Sequence, residues 1–595
     1  MARVTTRAEK TKRPLIRSAK LWVPIGILLV LIGLAVWGSM LATKAFAAKD
    51  ALEAAIPLAS KTQDMIAAGD VEGAKASAAQ LTEYTAEARE NTDDALWRAA
   101  EWVPIIGPNM AAVRVASTGA DELVNGAVIP ATGITIDALK PQGGAIDLAA
   151  LQQLADTVGA ASDTIDQVAS DLNGLDRSAL IGPVASGVEK LDEAVTKLKP
   201  TLDTADTTLK VLPGALGADG PRNYLMLFQN NAESRGTGGN PAAVVLVNVT
   251  DGKISIAKQA SSADFNNNRD EPIVELNPET AALYGDKIGR FMQDVTLTPD
   301  FTESAEIMRA FWAESFGTPI DGVVSFDPVA LSYLLGATGP VKLATGDTLT
   351  ADNAVSELLN RVYFRFEEGD QQDAYFAAAA SSIFGALMSG SGDMSALVDS
   401  LGKAVDEGRF MYVPTAEAEA EFIAGSRIDG KLPADNSEKT MVGVYVDDIT
   451  EGKLDYYARL AVDATSDQCT VDTPAFTTTA TFASTLNPND VEGLAEYISP
   501  ARFFAKGVIS TDLVLYGPVG STFASATVDG APSAATALPH LGRPAVKINI
   551  VNPPGTSHTV AATFTGAAGE YGPLEVWHTP MVAPTEVTIT TPGCE

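Results

Sequence analysis

The densest set of chemically useful side chains lies in one short stretch, Gln229-Asn230-Asn231-Ala232-Glu233-Ser234-Arg235-Gly236-Thr237-Gly238-Gly239-Asn240. It combines one guanidinium, one carboxylate, several amides and glycines whose backbone N–H groups can come close to a ligand. Such a loop suits a phosphate or another oxyanion, because its donors can converge on negative oxygens. Gln229, Asn230, Asn231, Arg235, Gly238, Gly239 and Asn240 are therefore the candidate ligand-binding residues. The competing reading is a long turn whose amides cap the flanking strands and whose Arg235 pairs with Glu233.

Other machinery is absent. All three histidines, His540, His558 and His578, lie far downstream of this loop, so its own segment cannot build a Ser-His-Asp triad or a histidine-based zinc site. There is no GxxxxGK[ST] phosphate loop and no GxGxxG opening a helix after a strand. No metal site is expected. The only cysteines, Cys469 and Cys594, lack the CxxC spacing of redox or zinc sites and are suited to a disulfide in an exported chain.

The loop must be held by strands. Tyr224 to Phe228 reads as a buried strand, and Ala242 to Val249, Asp251-Gly252 and Lys253 to Ile256 read as a hairpin with its turn signal. Asp321 to Phe326 is a further strand running into Asp327-Pro328, a helix N-cap followed by proline at the first helical position. Helices are expected from Thr350 to Leu359 and from Ala374 to Leu387. Strands alternating with helices make residues 218–450 an α/β core domain. From 453 to 595 short strands separated by Pro, Gly and Asn turns predict a β-sandwich of immunoglobulin-like type, with strands at Tyr456 to Val462, Gly507 to Tyr516, Ala545 to Val551, Thr559 to Phe564 and Glu586 to Thr590.

Upstream, residues 44–215 read as helical. Leu151, Leu154, Val158, Ala161, Ile165, Val168 and Leu172 form one apolar seam. Val184, Val188, Leu191, Val195, Leu198, Leu202, Ala205 and Leu209 form another, and the Gly174 to Pro183 break between them predicts an antiparallel helical hairpin in a bundle or stalk. An earlier helical pair turns at Gly69-Asp70, with Asp70 as N-cap. Trp97, Trp102, Ile105 and Ile106 crowd one segment. Two readings compete there: a seat at the outer membrane surface, and a hydrophobic staple between helices.

Charge decides topology. The chain has 595 residues and a net charge of −33, which disfavours nucleic acid as a partner because a negative surface repels phosphate backbones. Residues 1–20 carry seven basic side chains and one acid, a net of +6, leaving −39 on the remainder. Between them, Leu21 to Ala42 is uncharged, long enough as a helix to span the ~30 Å hydrocarbon core of a bilayer. The positive-inside rule puts residues 1–20 in the cytoplasm, residues 21–43 across the cell membrane and the bulk of the chain outside, with Trp22 and Trp37 near the two interfaces. The alternative is a signal peptide cleaved after Ala47, at Ala45-Phe46-Ala47, although typical signal cores have only ~7–15 apolar residues.

A family resemblance joins these signals. Asn223-Tyr224-Leu225, the Gln229 to Arg235 stretch, Gly238-Gly239, Pro299-Asp300-Phe301, Ile320-Asp321-Gly322-Val323 with Asp327-Pro328, and Thr338-Gly339-Pro340-Val341 resemble the actinobacterial envelope family called domain of unknown function 4012. More distantly, the order of elements is similar to that of LytR-CpsA-Psr phosphotransferases, single-pass proteins that move glycopolymers from polyprenyl-pyrophosphate carriers to peptidoglycan. That likeness implies arginines on the pyrophosphate, here Arg235 with Arg361 or Arg365, and Glu233 or Asp370 as magnesium ligand or base. Where those enzymes carry Arg-Ser-Asp-Thr, this chain has Gly238-Gly239-Asn240-Pro241, which removes a carboxylate a metal would need.

Two functions follow. The first is a membrane-anchored envelope protein that binds or assembles a cell-wall glycopolymer or lipid-linked precursor without a cofactor. The alternative is a divergent phosphotransferase acting on polyprenyl-pyrophosphate-linked glycans, with magnesium.

Overall fold

The computed structural model describes residues 19–68, 70–133, 139–390 and 392–594, so the basic tail up to residue 18 lies outside it, as does the side chain of Trp22. The chain divides into two compact units, one of residues 1–135 and 152–210 and the other of residues 136–151 and 211–595.

The first unit is helical: α1 (Ala19–Ala67), α2 (Val71–Thr92), α3 (Gly107–Leu123), α4 (Leu148–Asn173) and α5 (Gly182–Ala215), the last two extending into the second unit. Helix α1 is long and apolar enough to cross a membrane, as a single-pass anchor or a signal sequence would. Its side chains from Val23 to Val36 are exposed, and packing starts at Trp37. The turn into α2 is fixed by Asp70, whose carboxylate accepts from the Gly73 N–H at 2.9 Å. Helices α4 and α5 form an antiparallel hairpin in which Ser162 bonds Asp203 and Arg177 bonds Asp192, each at 3.0 Å. Between those pairs the seam closes on Ile165, Val168, Leu172, Val188 and Val195, all buried as the heptad spacing requires.

The second unit starts from a five-stranded sheet of β1 (Arg222–Asn230), β2 (Asn240–Thr250), β3 (Lys253–Ser261), β4 (Gly322–Phe326) and β5 (Met411–Pro414), in the order β3-β2-β1-β4-β5. Only the β1–β4 pair is parallel. Asp251 and Gly252, at φ of 49° and 75°, make the tight β2–β3 turn that the Asp-Gly pair demands. Alternation along β1 sends Leu225 and Leu227 toward α6 (Phe301–Phe316), and Met226 and Phe228 toward α7 (Pro328–Thr338) and α8 (Gly369–Met388). Helix α7 starts where Asp327 Oδ1 accepts from the Ala330 N–H at 2.7 Å; α9 (Met394–Asp406) packs beside it.

Two further sheets follow. Their strands are β6 (Thr440–Asp448), β7 (Ala458–Ser466), β8 (Ala475–Ser484), β9 (Ile509–Tyr516), β10 (Thr522–Val528), β11 (Ala531–Pro532), β12 (Ala537–His540), β13 (Arg543–Asn552), β14 (Ser557–Thr565), β15 (Leu574–His578) and β16 (Glu586–Thr590). One sheet runs β11-β10-β14-β8-β7-β16 and the other β12-β13-β9-β6-β15. Val444, Val446, Leu513 and Leu515 of the five-stranded sheet share a core with Leu460, Val462, Phe482 and Phe564 of the six-stranded one. Strand β6 lies within this pair of sheets, although a boundary at 450 groups it with the α/β segment. Its opposite face, with Met441 and Tyr445, joins the cluster under α6, so the strand is buried on both sides.

Strand β16 is exposed at all five positions and sits at a sheet edge, paired only with β7. A Cys469–Cys594 disulfide ties it back across 125 residues. Replacing both cysteines with serine is expected to lower unfolding stability by about 2–4 kcal/mol, through the longer loop left free in the unfolded chain. Urea titration of the two proteins reads this directly, and equal midpoints would refute it.

Candidate functional site

The Gln229–Asn240 loop is not open to solvent. Every residue from Gln229 to Pro241 is buried, and the loop passes beneath strands and turns contributed from residues 447 to 455 and 579 to 581. Its backbone is satisfied from there. Ser234 N–H donates to Asp455 Oδ2 at 3.0 Å, the Asp448 N–H donates to the Ser234 carbonyl at 2.9 Å, and Gly236 N–H donates to Asp447 Oδ1 at 3.0 Å. The Thr579 hydroxyl donates to the Gly236 carbonyl at 3.0 Å. Gly236 and Gly239 are required by contact: a Cβ on either would lie 2.3 Å from backbone of the Leu297 or Asn230 carbonyl.

The side chains form a buried network in which Arg235 Nε, Asn231 Oδ1 and Asn240 Oδ1 make no hydrogen bond. Arg235, 7% exposed, pairs with Glu233 at 2.9 Å and Asp294 at 3.3 Å and donates to the Asp448 carbonyl at 3.1 Å. Lys453 also reaches Glu233, whose other contact is the Asn240 amide at 3.0 Å. Asn231 donates to Asp327 Oδ2 at 2.6 Å, and the same carboxylate oxygen takes a bond of equal length from Arg409. Asn230 donates to the Tyr363 hydroxyl at 2.7 Å, while Gln229 receives the Gly239 N–H at 2.7 Å and bonds Ser325.

The electrostatics are those of a buried cluster rich in acid. Burial works against ionisation of Glu233, but Lys453 and Arg235 overcome it and hold the carboxyl at about 2. Asp447 has no such close partner; burial pushes it up to about 8 despite the field of Arg235. Burial likewise lifts Asp448 to about 6, and raises Asp455, which also feels the Asp448 charge, well above the carboxylate range.

The remaining candidates lie elsewhere. Arg361 is 69% exposed and pairs with Glu357 at 2.9 Å; Arg365 pairs with Asp347 at 2.8 Å and stacks over Phe366. Asp370 is exposed in the first turn of α8. The structure thus brings together Gln229, Asn230, Asn231, Glu233, Arg235 and Asn240, but neither Arg361 nor Arg365 joins Arg235 in an ion-pair network. Gly238, at φ of 144°, shapes the loop, where a Cβ would lie 3.0 Å from the Gln229 amide. Sequence reasoning missed Asp447, Asp448, Lys453 and Asp455, which stand over 200 residues away with no motif linking them to the loop.

It also missed a cavity. Between the Met226–Phe228 face of the first sheet and helices α7 and α8 lies an apolar space of about 500 Å³, lined by Met226, Phe228, Val245, Leu331, Phe376 and Ile383 among others. Gln229 and Asn230 reach its wall from the loop end. Among the described residues that line it there is no lysine or arginine, and the two ionisable ones are Asp264 and Asp373. A space of about 500 Å³ lies within the range of ligand-binding pockets, and its lining is mainly apolar.

Fold and site together define a protein with, among the described residues, one membrane-length helix, a helical unit, and an α/β layer that holds an apolar cavity and is joined to a pair of β-sheets. Residues 219–363, which build β1 to β4, α6 and α7, match the model of the family described as "Protein of unknown function (DUF4012)". No curated protein matches the sequence. A solved structure from Legionella pneumophila, described provisionally as a nutrient binding protein, is similar at 9% identity with a TM-score of 0.15. That likeness covers 22% of this chain and 45% of the other.

Proposed function

We propose that this is a membrane-anchored envelope protein of the actinobacterial type, N-terminus in the cytoplasm and bulk outside, that binds the hydrocarbon portion of a lipid or lipid-linked glycan. The observation that carries the reading is the apolar cavity of about 500 Å³ beneath α8. In this reading the α/β layer is a LytR-CpsA-Psr-like scaffold, the paired sheets form an immunoglobulin-like module facing wall or partner, and no cofactor is used.

The phosphotransferase alternative is the weaker one. A pyrophosphate needs cations and a metal about its transferring group. Arg235 is instead committed to Glu233 and Asp294, and among the described residues the cavity wall carries two carboxylates and no cation.

The test is to extract bound lipid from the full-length protein and from Ala380→Trp, whose new ring projects from α8 into the cavity. The native protein is expected to retain an amphiphile by mass spectrometry, and the variant to retain about tenfold less, since filling the space removes the ligand's buried area. Equal retention by both proteins, or none by the native one, would overturn the proposal.

A further inference from the structure

We infer that the turn Trp102–Ile106 is a second membrane contact, seated in the lipid headgroup layer beside the point where α1 leaves the bilayer. The inference rests on the anchor reading above and goes beyond it.

The register of the helical unit places this turn. Thr62 bonds Ser77, Ala48 and Ala51 pack with Ala88, Lys44 pairs with Asp94 at 3.0 Å, and Leu41 and Trp37 pack with Trp97. As the chain advances from 77 to 97 its partner on α1 retreats from 62 to 37, toward the apolar stretch whose side chains are exposed from Val23 to Val36. The 101–106 turn follows at that end, before α3 heads back: Met110 and Val113 pack by Trp97, and Val124 packs by Ala55. Asn109 ties the neighbouring 174–181 turn to the same end, donating to the Ala179 carbonyl at 3.2 Å and accepting from Ile181 N–H at 2.8 Å.

What the turn presents is unsuited to water. Trp102 is 91% exposed and Ile105 87%, with Pro104, Ile106 and, from the neighbouring turn, Ile181 also exposed. No charged residue occurs between Glu101 and Arg114, which pair with each other at 2.6 Å at the base of the turn. Ile105 sits at φ of 75°, a conformation a β-branched residue adopts only at a cost. Its side chain recovers nothing from the protein interior. Trp97, by contrast, is fully buried, its indole N–H donating to the Met110 carbonyl at 2.8 Å, so the two tryptophans of this segment divide the two roles expected of it. An indole and two isoleucines that follow Trp97, itself packed on Leu41 and Trp37 just before the first charge after the apolar run, Lys44, match the interfacial zone of a bilayer.

The test uses the full chain in lipid nanodiscs. Its own cysteines are paired, so one introduced cysteine can carry an environment-sensitive nitrobenzoxadiazole label. Trp102→Cys and Ile105→Cys are made as separate proteins, so that one failing to fold leaves the other; Leu31→Cys reports the anchor, and Lys61→Cys, about 30 Å further along α1 than Leu41, reports water. Blue-shifted emission quenched by headgroup-level nitroxide lipid at 102 or 105, with none at 61, supports the inference. A water-like label at both 102 and 105 while that at 31 is quenched would overturn it and leave the anchor standing. A water-like label at 31 as well would overturn the anchor reading and the inference with it.

Discussion

Replacing Arg235 by methionine is expected to cost about 3–5 kcal/mol of unfolding free energy, the usual effect of removing one partner from a buried ion pair. The arginine is the shared counter-charge of Glu233 at 2.9 Å and Asp294 at 3.3 Å, and its field is what restrains Asp447 and Asp448. Without it Lys453 is left alone against the carboxylates of this cluster. Loss of the Glu233 charge relieves part of the imbalance, so Arg235→Met with Glu233→Gln is expected to be more stable than Arg235→Met alone. Arg361→Met, which removes an exposed i,i+4 pair, is expected to shift the urea midpoint little. Urea unfolding of the full chain in detergent, followed by tryptophan fluorescence, measures all three. Equal midpoints for Arg235→Met and Arg361→Met would show that the loop is not held by this network.

The second large effect is with pH. A carboxyl whose folded pKa is raised stabilises fully below its unfolded value and loses that contribution as pH rises through the folded value. Asp448, at about 6, has lost most of its contribution by pH 6.5, whereas Asp447, at about 8, goes on making the protein less stable from pH 6.5 to 8. Groups shifted the other way oppose this only at lower pH. Glu233, held at about 2, contributes above its ordinary value of 4.5 and loses that on acidification. His540, which burial lowers to about 4, costs stability as pH falls from 6.5 toward that value. Between about pH 4.5 and 6 the rising contribution of His540 is outweighed by the falling ones of Asp447 and Asp448, so stability is expected to peak near pH 4.5 and to decline toward 8. Growing negative surface charge pushes in the same direction, so the decisive comparison is Asp447→Asn, which keeps an acceptor for the Gly236 N–H but cannot ionise. Thermal unfolding should show a shallower decline from pH 6.5 to 8 in the variant than in the native protein. Parallel slopes would assign the pH dependence elsewhere.

Local signals in the sequence located most elements. The Asp-Gly turn, the Asp327-Pro328 cap and the two heptad seams depend on residues within a turn or two of each other, and each forms where its spacing says it should. Strand Glu586–Thr590 likewise stands on the predicted residues. The loop was legible in its composition but not in its surroundings. Its glycines, amides and single Arg describe equally an open anion site and a buried junction, and the choice is made by Asp447, Asp448, Lys453 and Asp455, over 200 residues away. Strand β6 shows the same limit: Thr440–Asp448 is not among the expected strands, and nothing in it names the sheet it joins. The cavity had no sequence signal: Met226, Phe228 and Val245 have the alternation of ordinary core residues, and a void is a matter of volumes left unfilled.

The junction around the loop also sets the order in which the molecule can be made. Chains emerge and fold from the N-terminus, yet Glu233 waits for Lys453, 220 residues later, Gly236 for Thr579, 343 later, and Asn231 for the carbonyl of Pro580, 349 later. Until those arrive, the first sheet stands with an ionised loop at its end and with part of the core beneath α6 missing, because Met441, Tyr445, Val514 and Trp577 belong to that core. Such long-range closure makes for slow folding. Residues 218–450 are therefore no independent folding unit. A nascent chain halted before its last strands would present an unfinished hydrophobic surface, so folding of the whole second unit must await nearly complete synthesis.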